Sequence, residues 1–195
     1  MTSIKHLITI VLCFLASSLA FSPLVAQQNN TDYTIHFKTK SVVPNNNAHE
    51  YTNEISGLEE LTYDNQFFKI IQFFEIPDKS ERDALKNAGV TLLDYIPHNA
   101  YFASFSNDFS ANYLKGLGIR SIMDILPDYK LAPSLLDVNY PDHAILEDGT
   151  ISLLVSYYPN LSPNEVVNAI ISEGYQILHR DDFGSYFNIA VQETE

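Results

Sequence analysis

Apolar residues along this chain fall into short, dense runs that are separated by turn residues. The run Phe67–Ile76 is too continuous for a half-exposed strand and is typical of a strand buried on both faces. Pro77 ends it, because proline lacks the N–H group that strand pairing requires. Asp78 then offers an N-cap and Glu81 stands at the capping-box position, so the pattern predicts a helix directly after this strand.

The same succession of dense runs and breakers continues to Leu131. The first helix should bury a short apolar stripe and end at Gly89, and three strands and a second helix should follow. The apolar stripe of the first helix consists of Ala84, Leu85 and Ala88. The three strands are predicted at Val90–Ile96, Ala100–Phe105 and Ile119–Leu126. The second helix starts at Ser106, and its buried candidates are Phe109, Tyr113, Leu114 and Leu117. The resulting order is βαββαβ, the split-βαβ or ferredoxin-like motif.

For residues 67–131 the prediction is therefore a ferredoxin-like module of the α+β class with a four-stranded antiparallel sheet. Its first and third strands, the two densest, should lie in the middle, and both helices should cover one face. Dense strands also project apolar groups to the opposite face, so that face, with Phe102 or its neighbour Tyr101, is expected to lie open. An uncovered apolar face is typical of a contact surface.

The pattern restarts near the C-terminal end of the sequence. Ile151–Tyr158 is again dense, and Ser162, Pro163 and Glu165 form a strong helix start, with Gly174 as its stop. Two strands should follow, Tyr175–His179 and Tyr186–Val191, joined by a turn at Asp181–Gly184. This gives a second, incomplete βαββ module at residues 150–195, joined to the first by a linker at 132–149. Its missing fourth strand would leave a strand exposed at an edge.

Residues 1–26 are predicted to be a secretory signal peptide rather than part of the fold. Lys5 precedes an apolar run over Leu7–Phe21, and a small-residue processing site ends at Ala26, with Ala20 as an alternative. Residues 27–66 should then hold one N-terminal strand and a linker. The single cysteine, Cys13, leaves with the signal. The mature chain is thus expected outside the cytoplasm, secreted or periplasmic, with no membrane anchor.

The net negative charge of the chain argues against some classes of binding partner. The chain carries 11 basic and 24 acidic residues, and loss of Lys5 with the signal gives the mature protein 10 − 24 = −14. So acidic a balance argues against nucleic acid and against anionic membranes as partners.

No residue pattern in the sequence carries an enzymatic site. The six histidines show no helical metal spacing, and neither a glycine-rich phosphate loop nor a nucleophile-elbow serine is present. His179 beside Arg180–Asp182 is the best polar cluster, but its position next to a hairpin is typical of turn chemistry, as is that of Asp148–Thr150. The sequence therefore predicts no catalytic, cofactor-binding or metal-binding residue and no enzyme activity, and it assigns no binding residue.

Three segments, Phe68–Phe73, Arg82–Pro97 and Asn99–Tyr101, resemble the N-terminal region of secreted subtilisin-like serine proteases (subtilases) of bacteria. In those proteins a propeptide-like, ferredoxin-like domain precedes the protease domain. The resemblance implies a pro-region that acts as folding chaperone and inhibitor through its open sheet face, with the protease domain as partner in cis or in trans. The catalytic blocks of the family do not occur in this sequence. The alternative is a stand-alone secreted protein-binding or protease-inhibitor module.

Overall fold

Two antiparallel sheets and a small hairpin dominate the structure, so the protein is of the α+β class. The computed structural model describes residues 31–48, 63–107, 109 and 114–192. From Tyr33 on, the chain forms one unit. The predicted signal peptide and most of the predicted second helix, at residues 108 and 110–113, lie outside the described residues. Within the described ranges, no helix is long and apolar enough to cross a membrane.

The first sheet has four strands, every pairing antiparallel, as predicted. Its strands lie in the order β4-β5-β3-β6, so the first and third strands in chain order are central. They are β3 (Gln66–Phe73), β4 (Val90–Ile96), β5 (Ala100–Ser106) and β6 (Ile119–Asp124). Strand β3 ends at Phe73, three residues earlier than predicted. Its register with β6 shifts after Gln72, and the Phe74 N–H donates to the Gly118 carbonyl at 2.9 Å, which leaves Ile76 55% exposed.

Helix α1 (Lys79–Asn87) begins with the predicted capping box. The Glu81 N–H donates to the Asp78 carboxylate and the Asp78 N–H donates to the Glu81 carboxylate, each at 2.8 Å. Leu85 is fully buried, whereas Ala84, predicted to share the buried stripe, is exposed. Gly89 ends the helix with φ +85°, a backbone conformation that strains residues with a Cβ atom, and an added Cβ would also collide with the Ser106 hydroxyl.

The main core lies between α1 and the sheet. Of the predicted second helix, the described residues Phe109, Leu114 and Leu117 pack into this core, with Phe109 edge-on to Phe105 at 5.0 Å between ring centroids. Their inward position agrees with the apolar pattern. The core residues are Phe67, Ile71, Phe73, Leu85, Val90, Ala103, Phe105, Leu114, Ile119 and Ile122.

The opposite face of the first sheet is covered, so the expectation of an open face is wrong. A hairpin of β1 (Ile35–His36) and β2 (Ser41–Val42) lies over it. Ile35 is fully buried there with Ile70, Ile96 and Ala100, and Phe37 packs beside them. The cover comes from two-residue strands, which are too short to show a period in the sequence. Tyr101 instead lies on the α1 side of the sheet, and Phe102 lies on the covered face.

A buried polar network holds the N-terminal segment on that face. Gln72 is 1% exposed, and its amide donates to the carbonyls of Tyr33 and His98, both at 2.9 Å. The Arg120 guanidinium donates to the Gln72 side-chain oxygen at 2.9 Å and to the Pro44 carbonyl at 2.8 Å. Since each polar group inside has a partner, the network links residues 33–44 to the sheet without an unpaired group at its centre.

The second sheet has three strands in the order β7-β9-β8, all antiparallel, and follows the predicted βαββ pattern. Its elements are β7 (Ile151–Ser156), α4 (Pro163–Ser172), β8 (Gln176–Asp181) and β9 (Tyr186–Val191). Val166 of the helix packs on Phe187 and Ile189 in a separate core. Ser162 stands at the N-cap of the helix start predicted with Pro163 and Glu165, but its side chain makes no capping hydrogen bond.

The connection between the sheets holds short helical turns where the sequence shows no clear period. Helix α2 (Pro127–Lys130) follows β6, then come α3 (Pro133–Leu136) and a 3-10 turn at Asp142–Ala144. Pro127 and Pro133 each start a helix, because a first-turn residue needs no N–H partner. At the end of the connection, Ile145 forms an isolated bridge with Ile151.

Candidate binding site

An aromatic cavity of about 500 Å³ opens where the two sheets meet. Strands β4 and β5 and helix α2 form one side of it, and the residues after β7 together with the β8–β9 turn form the other. We call it the aromatic pocket. Its lining residues are Asp94, Phe102, Tyr129, Lys130, Ser156, Tyr157, Tyr158, Pro159, Phe183, Gly184 and Ser185.

Tyr158 lines the aromatic pocket and packs against the first sheet. It stacks on Phe68 at 4.9 Å between centroids and leans on Phe102 at 5.8 Å. Burial raises the pKa of Tyr158 to about 12, and the negative charge of Asp94, in the irregular stretch of β4, adds to the rise in pKa. Next to it, Asn160 donates to Gln66 at 2.8 Å and to Ser104 at 3.0 Å. The loop after β7 is therefore anchored on the first sheet.

Phe183 stands fully exposed at the rim of the aromatic pocket, on the β8–β9 turn. The turn is well braced: the Gly184 N–H donates to the Asp181 carboxylate at 2.8 Å, and Arg180 pairs with Asp182 and donates to Asn164 at 3.0 Å. The Gly184 hydrogen bond lowers the pKa of Asp181, and the Arg180 hydrogen bond lowers that of Asp182. The β8–β9 turn, held by these hydrogen bonds, thus presents the large apolar ring of Phe183 to solvent.

The lining of the aromatic pocket suits recognition of a peptide or protein side chain. Aromatic rings provide apolar area with little loss of side-chain freedom, and they are enriched where binding energy is concentrated. Asp94 and Lys130 add one charge of each sign. Two serines, Ser156 and Ser185, line the pocket, but no histidine is among its lining residues to activate them.

Two histidines far apart in the sequence come together on the hairpin side of the first sheet. The rings of His36 and His98 are 5.7 Å apart between centroids, and His36 Nδ1 is hydrogen-bonded to the Ser41 hydroxyl at 2.8 Å. The pair offers two nitrogen ligands, fewer than the four of a structural zinc site. His179, in the polar cluster singled out in the sequence, lies instead beside Tyr186 in the second sheet.

Residues 36–126 match a family model described as a domain of unknown function (DUF8729). The match begins at His36, the second residue of β1, includes β2 and the whole first sheet, and ends before the second sheet. No curated protein and no solved structure matches the chain.

Stability at high pH should depend on Tyr158. Its hydroxyl ionises near pH 10 when exposed and near pH 12 when folded, so between these values only the unfolded chain releases a proton. The stabilising contribution is present below pH 10 and is lost as the pH rises through 12. Tyr158→Phe should therefore flatten the fall in melting temperature between pH 9 and about pH 11. Tyr175→Phe, at an exposed tyrosine, is the control; equal slopes for both variants and the parent would contradict the assignment.

Proposed function

We propose that this chain is a non-catalytic pro-region of a secreted subtilisin-like serine protease, which binds the protease domain as folding chaperone and inhibitor. The resemblance of three segments in and around β3, α1, β4 and β5 to subtilase N-terminal regions supports the partner. The single observation that supports a binding role is the aromatic pocket with exposed Phe183 at its rim. Because the face expected to be open is covered by the hairpin, we place the contact at this pocket.

We propose a ferredoxin-like module for the first sheet, with the second helix that the sequence predicts from Ser106 on, and a partial copy of this module in the second sheet. The strand order β4-β5-β3-β6 and the crossover through α1 agree with it. In the second sheet, β7, β9 and β8 are connected and paired as β3, β5 and β4 are in the first.

The proposal is tested by binding to a subtilisin-like protease domain encoded in the same genome, with its catalytic serine replaced by alanine. The chain from Gln27 on should form a stable complex in a calorimetric titration, and it should inhibit the active protease. Lack of both binding and inhibition, with circular dichroism showing a folded chain, would refute the protease as partner.

Replacement of Phe183 by alanine should weaken this complex at least about tenfold, since exposed aromatic residues beside a pocket are typical hot spots. The melting temperature should stay unchanged, because the side chain is fully exposed. Ile171→Ala is the matched control: Ile171 is 58% exposed on α4 and does not line the aromatic pocket. Equal affinities of the Phe183 and Ile171 variants would place the contact elsewhere.

The second candidate function is a stand-alone secreted module that binds or inhibits another protein. The β1–β2 hairpin covers the expected contact face, so the face used by family propeptides is not free here. This observation favours the second candidate function. The same aromatic pocket would serve as the contact. Binding of the chain to a secreted protein other than a protease, with loss of affinity in Phe183→Ala, would select this function.

A further inference from the structure

The two larger sheets have four edge strands, β4, β6, β7 and β8, and three of them are protected against further pairing. Strand β4 carries an irregular register between Leu92 and Tyr95, with Asp94 in it. Strand β8 has a register shift between Ile177 and His179 and carries Arg180 and Asp181. Charges and bulges on an edge are the usual means of preventing strand addition.

The β6 edge is protected because the segment that precedes the first sheet covers it. The Asn47 side chain donates to the Ile122 carbonyl and accepts from the Ile122 N–H, both at 3.2 Å. The Ala48 N–H donates to the Arg120 carbonyl at 3.3 Å. The segment before the first sheet thus occupies backbone groups that would otherwise be free at this edge.

Strand β7 has none of these protections. Its sequence, Ile-Ser-Leu-Leu-Val-Ser, holds no charge and no proline, and its register with β9 is regular throughout. On the side of β7 that faces away from β9, the described residues pair with the strand at one place, the isolated bridge between Ile145 and Ile151. Leu154 in its middle is 64% exposed. An uncharged, regular edge with exposed apolar side chains is a template for another strand.

A groove of about 560 Å³ runs along this edge. All six residues of β7 line one side, and the connection between the sheets, including Leu131, Leu135 and Tyr140, lines the other. Lys38 and Lys130 contribute positive charge within a strongly acidic protein. A six-residue strand is about 20 Å long, which sets the length of peptide that can pair with it.

The pairing of β3 in the first sheet indicates which kind of segment can pair with the free edge of β7. Strand β7 holds in the second sheet the position that β3 holds in the first, and the outer neighbour of β3 is the antiparallel strand β6. We propose that β7 is a β-augmentation site, at which an extended peptide segment of a partner protein pairs antiparallel with Ser152–Ser156. The segment has alternating apolar residues and an acidic residue directed at Lys38 and Lys130. Backbone hydrogen bonds provide the affinity, and the groove provides the selectivity.

A partner segment fits better than a second copy of this chain. A copy that paired through its own β7 would bring the connection between its two sheets into the same groove. A single extended strand needs only the space between β7 and the connection that already lines the groove. The groove shares only Lys130 and Ser156 with the aromatic pocket, so strand pairing at β7 does not require the partner to be a protease.

The test uses the chain from Gln27 on and two fluorescein-labelled ten-residue peptides. One has the sequence of Leu117–Leu126, which contains the strand at the corresponding place of the first sheet; the other alternates valine and threonine and carries one glutamate. At least one peptide should bind in fluorescence anisotropy and slow amide hydrogen exchange at residues 152–156. Leu154→Lys should weaken binding at least about tenfold, because a charge on an edge blocks pairing.

Leu178→Lys is the matched control on the protected β8 edge, where Leu178 is 41% exposed; it should change peptide affinity less than about twofold. Both variants should melt like the parent. Two results would overturn the proposal: neither peptide slows exchange at residues 152–156, or sedimentation shows a dimer of the chain that Leu154→Lys dissociates. The second result would assign the edge to a second copy.

Discussion

Replacement of Leu85 by aspartate is expected to abolish cooperative folding of the first sheet. Leu85 is fully buried among Phe67, Val90 and other core residues beneath α1. Loss of such a leucine side chain alone costs about 2–5 kcal/mol. A buried carboxylate without a partner adds several kcal/mol, and the sum approaches the whole stability of a typical domain, about 5–15 kcal/mol.

Circular dichroism and thermal melting measure this effect, and Ala84→Asp is the control. Ala84 precedes Leu85 on the same helix but is exposed. Its replacement introduces the same charge at nearly the same place and should leave the melt within a few degrees of the parent. A Leu85→Asp variant that melts like Ala84→Asp would mean that α1 is rotated relative to the sheet.

The second large effect concerns Gln72. Gln72→Leu keeps the size of the side chain but leaves the Tyr33 and His98 carbonyls and the Arg120 guanidinium without their shared partner. Each buried polar group left unpaired costs about 1–3 kcal/mol. Arg120 is only half-buried and keeps its hydrogen bond to the Pro44 carbonyl, which limits the total, so we expect a loss of about 2–4 kcal/mol in the free energy of unfolding.

Urea unfolding gives this free energy, and amide hydrogen exchange locates the change. Residues 33–48 should lose protection before the first sheet does, since the network joins them to it. Gln176→Leu, at an exposed glutamine on β8, should alter stability by less than about 0.5 kcal/mol. Unchanged protection of residues 33–48 in the Gln72 variant would show that apolar contacts of Ile35 and Phe37 alone hold the segment.

The two sheets could be predicted from the sequence because their signals are local. Dense runs at β3 and β5 identified the central strands, and the spacing of Asp78 and Glu81 identified the start of α1. The same spacing at Ser162 and Glu165 did not produce a capping hydrogen bond. A capping box depends on the side-chain rotamer as well as on spacing, and the sequence does not specify the rotamer.

The cover of the first sheet and the aromatic pocket could not be predicted, because both depend on contacts between distant segments. Phe37 stacks on Tyr129 at 4.1 Å, and Tyr158 stacks on Phe68, although nothing in either local pattern links these pairs. The sequence pattern predicts the end of a strand at Tyr158 and a turn at Phe183. A signal for the pocket was present in the paired tyrosines Tyr157 and Tyr158 directly before a proline.

The long reach of the N-terminal hairpin also bears on how the chain folds. Asn47 bonds Ile122 across 75 positions, and Thr39 bonds Asp128 across 89. Contacts so distant in sequence form late, because the loop between them must first close against its entropy. Until β6 and α2 are in place the hairpin has no complete docking surface, and Ile70, Ile96 and Ala100 face water. A chain whose hairpin has not yet docked therefore exposes this apolar face, which is the kind of surface that chaperones bind and through which neighbouring chains aggregate.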